Sequence, residues 1–268
     1  MSPIALTLLA GCATSTGGER VSFHARVEAT APIEVIDGAS AIRWTDTTGW
    51  TLTLTEASLW AGPAYLWSEE PRLDPSGLGA AIRWLGGLRP IAEAEAADQF
   101  RAGFLVGEVT TQTRINLLGP ALDLPDGDGL AGPSRSAELW LEPSPDGDTL
   151  SMRGVAARDG VVIPFRAGMT IDERWVSQPD DNPVLLRRLR GILWDAELVD
   201  GGTLTLGVDP RRWLDGADFS TLAEAPADSD GTRPVTPDGP VGRTIYARSR
   251  RIGPTGPWSF TWQPPEAP

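Results

Sequence analysis

Val21-Ser22-Phe23-His24-Ala25-Arg26-Val27-Glu28 decides the fold class: its apolar residues take the odd positions and its polar residues the even ones. Successive side chains of a strand point to opposite faces, so this spacing predicts a strand with one face in a core and one in water. Trp50-Thr51-Leu52-Thr53-Leu54-Thr55 repeats the period. The phase then slips, with Ala57, Leu59 and Ala61 carrying the apolar set, which predicts a bulge near Thr55 and Glu56 or a change of face. Gly62-Pro63 closes that element before Ala64 to Trp67.

Further along, Ser136 to Glu142 and Thr149 to Ala156 flank the turn-rich run Pro143 to Asp148 and read as a hairpin. Asp159-Gly160 turns towards Val161 to Arg166. Ile192, Trp194, Ala196 and Leu198 alternate up to Asp200-Gly201-Gly202, and Leu204, Leu206 and Val208 alternate beyond it, which reads as an antiparallel meander. Trp258, Phe260 and Trp262 form a last strand, with a partner expected near Arg243 to Ser249. Helical signals are confined to Pro90 to Phe100 and a turn or two over Pro183 to Leu189. Segments 70–90, 119–134 and 223–241 are rich in Gly, Pro and Asp and read as loops. The expected fold is all-β, an antiparallel β-sandwich with short helical segments in loops, with a barrel as the alternative.

Composition agrees with that pattern. A chain of 268 residues that is 41% apolar can bury one sizeable core, and its 30 Gly and 24 Pro are spread along its length as turn punctuation. The formal net charge of −13 opposes binding to nucleic-acid phosphates and to anionic membrane surfaces. All 23 basic residues are Arg, a codon bias that suggests a GC-rich genome.

The first residues carry an address. A short apolar run from Ile4 to Ala10 ends in small residues, as an export signal does. At Leu9-Ala10-Gly11-Cys12 the chain resembles the lipobox of bacterial lipoproteins. The resemblance implies that Cys12 receives a diacylglyceryl group, that the signal is cut before it, and that the new amino terminus is acylated. More than one acyl chain makes such an anchor stable, so the implied partner is a membrane, held through lipid. Ala13 in place of Asp implies the outer membrane as destination if the cell is Gram-negative. The organisation expected is a signal peptide over 1–11, a flexible tether over 12–20, a single β-rich domain over 21–262 and a tail over 263–268. Cys12 is the one cysteine, so once acylated it leaves neither a disulfide nor a thiol nucleophile.

Residue types also limit the chemistry. The chain has one His and no Lys, and His24 belongs to the polar face of the first strand, which disfavours a Ser-His-Asp triad, His-rich zinc sites and lysine Schiff bases. No cofactor is expected, since no nucleotide-binding fingerprint occurs. Paired carboxylates are sufficient for glycoside hydrolysis, and Asp195, Glu197, Asp209, Asp215 and Asp218 are candidates, with a solvated face as the plainer reading. Asp123, Asp126 and Asp128 lie in a run that could hold calcium, although turn chemistry also accounts for it. Eleven Trp outnumber Phe and Tyr together; most suit a core, and Trp60, Trp67 and Trp213 are the candidates for stacking a glycan ring or an apolar partner. The leading expectation is a lipid-anchored, non-enzymatic envelope module that binds a protein or glycan partner. A carboxylate-dependent glycan hydrolase and a calcium-binding module are the alternatives.

Overall fold

The computed structural model describes residues 18–73, 100–101, 103–145, 147–172, 175 and 184–266. Cys12, the signal and most of the tether, Trp84, and nearly all of the helix expected over 90–100 lie outside the described residues. In chain order the strands are β1 (Arg20–Ala29), β2 (Glu34–Ile36), β3 (Ala39–Thr45), β4 (Thr51–Ala61), β5 (Ala64–Trp67), β6 (Arg72–Leu73), β7 (Phe100–Arg101), β8 (Leu105–Val109) and β9 (Thr113–Asn116). They continue with β10 (Leu122–Leu130), β11 (Gly132–Trp140), β12 (Leu150–Arg158), β13 (Val161–Met169), β14 (Arg188–Leu198), β15 (Thr203–Val208), β16 (Arg233–Val235) and β17 (Trp258–Gln263). Three helices, α1 (Arg211–Leu214), α2 (Ser220–Ala223) and α3 (Pro240–Ser249), and a 3₁₀ turn (Leu185–Arg187) complete the described elements.

The fold is all-β. Eight strands form one sheet in the order β14-β11-β5-β8-β10-β1-β15-β17, and β16-β13-β12-β4-β3-β2 form a second, with β9 alongside β4. The first sheet curls until β14 lies against β17, where Trp194 and Phe260 meet at 6.0 Å, so it is nearly a barrel. Pairing is antiparallel except that β1 runs parallel to β15 and β13 parallel to β16. One apolar core is shared by both sheets. Trp50 and Phe165 touch Phe219 beside α2, and Trp213 of α1 packs on Trp258 of β17, so the helical segments tie the sheets together.

The alternation in β1 is realised directly: Val21, Phe23, Ala25 and Val27 are buried. So is the phase slip in β4, where Leu54 pairs with Gly154 and Glu56 with Arg153, leaving Thr55 as the extra residue of a bulge. That bulge turns Leu54 and Ala57 to the same core. Gly154 is required there, since a Cβ would stand 2.3 Å from the carbonyl oxygen of Thr53. Asp159-Gly160 makes the β12–β13 hairpin with both residues at positive φ, as a tight two-residue turn demands.

Several expected pairings are corrected. β11 and β12 are not a hairpin; they belong to different sheets, and residues 141–149 cross between them. β14 and β15 do not pair either, because β14 joins β11 while β15 lies between β1 and β17. Residues 240–249 are helical, with Pro240 opening α3 and Val241, Ile245, Tyr246 and Ser249 buried along one face, so β17 takes β15 as partner instead. Much of 119–134 is strand, not loop: Gly127 of β10 lets the Phe23 ring lie where its Cβ would be, 2.3 Å away. The loop expected over 223–241 contains β16 and the start of α3.

Candidate functional site

A recess on the outer face of the second sheet gathers an aromatic ring, a guanidinium group and hydroxyls. Past its bulge, β4 sends Ala57, Leu59 and Ala61 into the core and therefore turns Ser58 and Trp60 outward. Register supplies the neighbours: Ser151 of β12 stands opposite Ser58, and Arg114 of β9 opposite Trp60. The crossover from β11 forms the wall. Trp60 N–H donates to the Thr149 carbonyl at 2.7 Å, Ser144 N–H donates to the Asp148 carbonyl at 3.1 Å, and the Thr170 hydroxyl donates to the Gly147 carbonyl at 2.6 Å. The resulting recess has a volume of about 220 Å³ and is lined by Ser58, Trp60, Arg114, Ser144, Asp148 and Ser151, among others.

Its polar groups are already arranged. Arg114 Nη2 donates to Ser58 Oγ at 3.3 Å, and Ser58 Oγ lies 2.8 Å from Ser151 Oγ. Beside the partly exposed Trp60 ring, the recess therefore offers donors and acceptors around a flat apolar surface, which is how polar ring-shaped ligands are held.

The other aromatic candidates are not part of this recess. Trp67 lies opposite Ser136 on the outer face of the first sheet, so Trp60 and Trp67 belong to different sheets and form no joint platform. Trp213 is fully buried against Trp258, with ring centres 6.2 Å apart, and has no surface on which a ligand could stack. The sequence misleads because Arg211-Arg212-Trp213-Leu214-Asp215 looks polar, while one helical turn sends Trp213 and Leu214 inward.

Asp123, Asp126 and Asp128 lie along β10 and not in a loop. Asp123 stands opposite Arg26, Asp126 lies 3.0 Å from His24 Nδ1, and Asp128 stands opposite Ser22 and Glu108. Among the described residues no group of three or more His, Cys, Asp or Glu is placed to hold a metal ion. The carboxylates singled out for hydrolysis have local engagements. Asp195 pairs with Arg135, Asp209 receives Arg211 Nε at 2.9 Å and Nη2 at 2.8 Å, and Asp215 accepts from the Thr47 hydroxyl at 3.3 Å. Asp218 accepts from the Ser220 hydroxyl at 2.6 Å, and that bond with the Ser220 N–H holds its carboxyl below the usual range. Glu197 is exposed opposite Pro133, and Glu69 and Glu70 are exposed.

No protein-family model, curated protein or solved structure matches the chain.

A second polar feature could not be seen in the sequence, because each residue comes from a different strand. Ser22, Asp128, Glu108, Tyr65, Glu138 and Arg190 are successive cross-strand partners along the first sheet. Glu138 is 1% exposed and accepts from Trp140 Nε1 at 2.9 Å, Arg188 Nε at 2.8 Å and Arg190 Nε at 2.9 Å. Burial, and then the charges of Glu108 and Glu138, push the Tyr65 phenol above its ordinary value. At the other end of the row, Asp128, Glu108 and Arg20 border a recess of about 390 Å³.

Proposed function

We propose that this chain is an exported lipoprotein, held to the envelope by lipid on Cys12, whose β domain is a binding module that presents the Trp60 recess to its ligand. The recess carries the reading: a partly exposed Trp, a guanidinium and paired hydroxyls line a cavity of about 220 Å³ on the outer face of a sheet. The anchor is supported by Leu9-Ala10-Gly11-Cys12 and by the Ser, Thr and Gly residues that follow. Replacing Cys12 with Ser is expected to abolish lipid labelling and release the protein from membranes; unchanged membrane association overturns the anchor. For the recess, a photo-crosslinking residue at Pro145 on the rim should capture a ligand or partner in the native envelope, and one at Val35, 77% exposed on β2, should not. Equal labelling from both positions counts against the recess.

One observation favours a second reading, carboxylate-dependent glycan hydrolysis. Asp128 and Glu108 stand directly opposite each other on adjacent strands, a placement in which like charges weaken a sheet, and they border the larger recess. Carboxyl groups roughly 5–9.5 Å apart perform this reaction. The reading requires glycan turnover that Glu108→Gln abolishes, and a wild-type protein inert towards envelope glycans removes it.

A further inference from the structure

We infer that the Trp60 recess takes a single carboxylate-bearing sugar residue of a glycan chain, its ring against Trp60 and its carboxylate on Arg114. The inference rests on the binding-module reading and names the ligand class. Size is the first argument. Cavities for drug-sized ligands run from about 300 to 1,000 Å³. One of about 220 Å³ suits one ring, and its position on an outer sheet face lets the rest of a glycan continue into solvent.

Polarity is the second. A pyranose ring has a face of C–H groups that packs on an aromatic plane, and a rim of hydroxyls that both donate and accept. Trp60 supplies the plane. Ser58 and Ser151, with hydroxyls 2.8 Å apart, supply groups that can also do both.

Charge decides the class. Arg114 is exposed, spends one Nη2 donor on Ser58 Oγ and makes no ion pair among the described residues, although the chain has a net charge of −13. The carboxylate of Asp148 borders the same recess but lies over Gly168 of β13, where an added Cβ would stand 2.5 Å from Asp148 Oδ2. A guanidinium has five donors in a fixed fork that matches a carboxylate, so most of the Arg114 fork remains for an anionic group on the ligand. The bond to Ser58 holds that fork in the recess, and the register sets Arg114 opposite Trp60.

The test is calorimetric titration of the full-length protein in detergent with a glucuronate-containing tetrasaccharide and with the same tetrasaccharide after reduction of its carboxylates to hydroxymethyl groups. Hydrogen bonds to charged groups are worth enough that reduction should weaken binding about 10–100-fold. Arg114→Gln should weaken the acidic sugar by a similar factor and leave the two sugars nearly equal, and Trp60→Ala should weaken both. Arg114 is exposed on β9, so Arg114→Gln should keep the wild-type melting temperature and remains informative if Trp60→Ala does not fold. Equal affinity for the two sugars, or an unchanged affinity in Arg114→Gln, overturns the inference. Binding of neither sugar also overturns it, and the binding-module reading is then judged separately by the crosslink from Pro145.

Discussion

Glu138 is a carboxylate at 1% exposure that two guanidinium groups and an indole N–H share, with the Arg188 guanidinium 5.0 Å over the Trp140 ring. Removing one member of a buried ionic group leaves the others desolvated without their counter-charge, so Glu138→Ala should lower unfolding free energy by about 3–5 kcal/mol. Urea denaturation measures this, and a loss below about 1 kcal/mol would place the cluster among the weak surface pairs. Glu138→Gln should cost less, since it keeps acceptors for some of these donors. None of this was legible from Ser136-Ala137-Glu138-Leu139-Trp140, which reads as an ordinary strand. Its Arg partners are 50 and 52 residues away and meet it only through register. By contrast, the placement of His24 on the exposed face of β1 follows from alternation alone, because its neighbours Phe23 and Ala25 are apolar and buried.

At the scale of elements, α3 is held by a stack: Tyr246 lies on Trp175 with ring centres 4.0 Å apart and planes 4° from parallel. The Tyr246 hydroxyl is buried and has no hydrogen-bond partner among the described residues. Tyr246→Phe keeps the stack and removes an unsatisfied polar group, so it should raise stability by about 1 kcal/mol. Burial also pushes the Tyr246 phenol above its ordinary value, so the folded state prefers the neutral form. That contribution is complete below the unfolded value of about 10 and is lost as pH rises through the folded one. Thermal melts between about pH 8 and pH 11 should therefore show a smaller alkaline loss for Tyr246→Phe than for wild type. Equal losses would mean that the phenol ionises without opening the stack. The helix itself was misread as a strand because Arg243 to Ser249 shows no clean apolar period, and its buried face becomes apparent only beside β13 and α1. Long strands such as β1, β4 and β14 were legible because one face is buried and the other wet, whereas the four residues of β9, with Ile115 alone buried, are too few to show a period. The partners of the long strands were not legible, because alternation in β14 and β15 states which side faces the core and nothing about which strand lies alongside.

For the whole molecule, the two sheets have a common apolar interior, with Trp50 in one region of it and Trp213 in another, both buried. Unfolding should therefore be one cooperative event in which tryptophan fluorescence and far-UV circular dichroism give the same midpoint. Two separated midpoints would show that the sheets open independently. The Trp60 recess was half legible at this scale. The outward turn of Trp60 follows from the β4 pattern, whereas Arg114 and Ser151 arrive from strands that the sequence does not connect to it.

The pairing of β1 with β15 also sets a schedule. His24 is among the first described residues to leave the ribosome, and Thr203, its parallel partner, follows far behind. At about 5–20 residues per second that interval is on the order of ten seconds or more. Until then one edge of β1 has no neighbour, and a contact of such long range closes slowly even after both strands are present. The chain thus spends its earliest life without a finished first sheet, a delay in which the open edge of β1 stays available to whatever strand reaches it first.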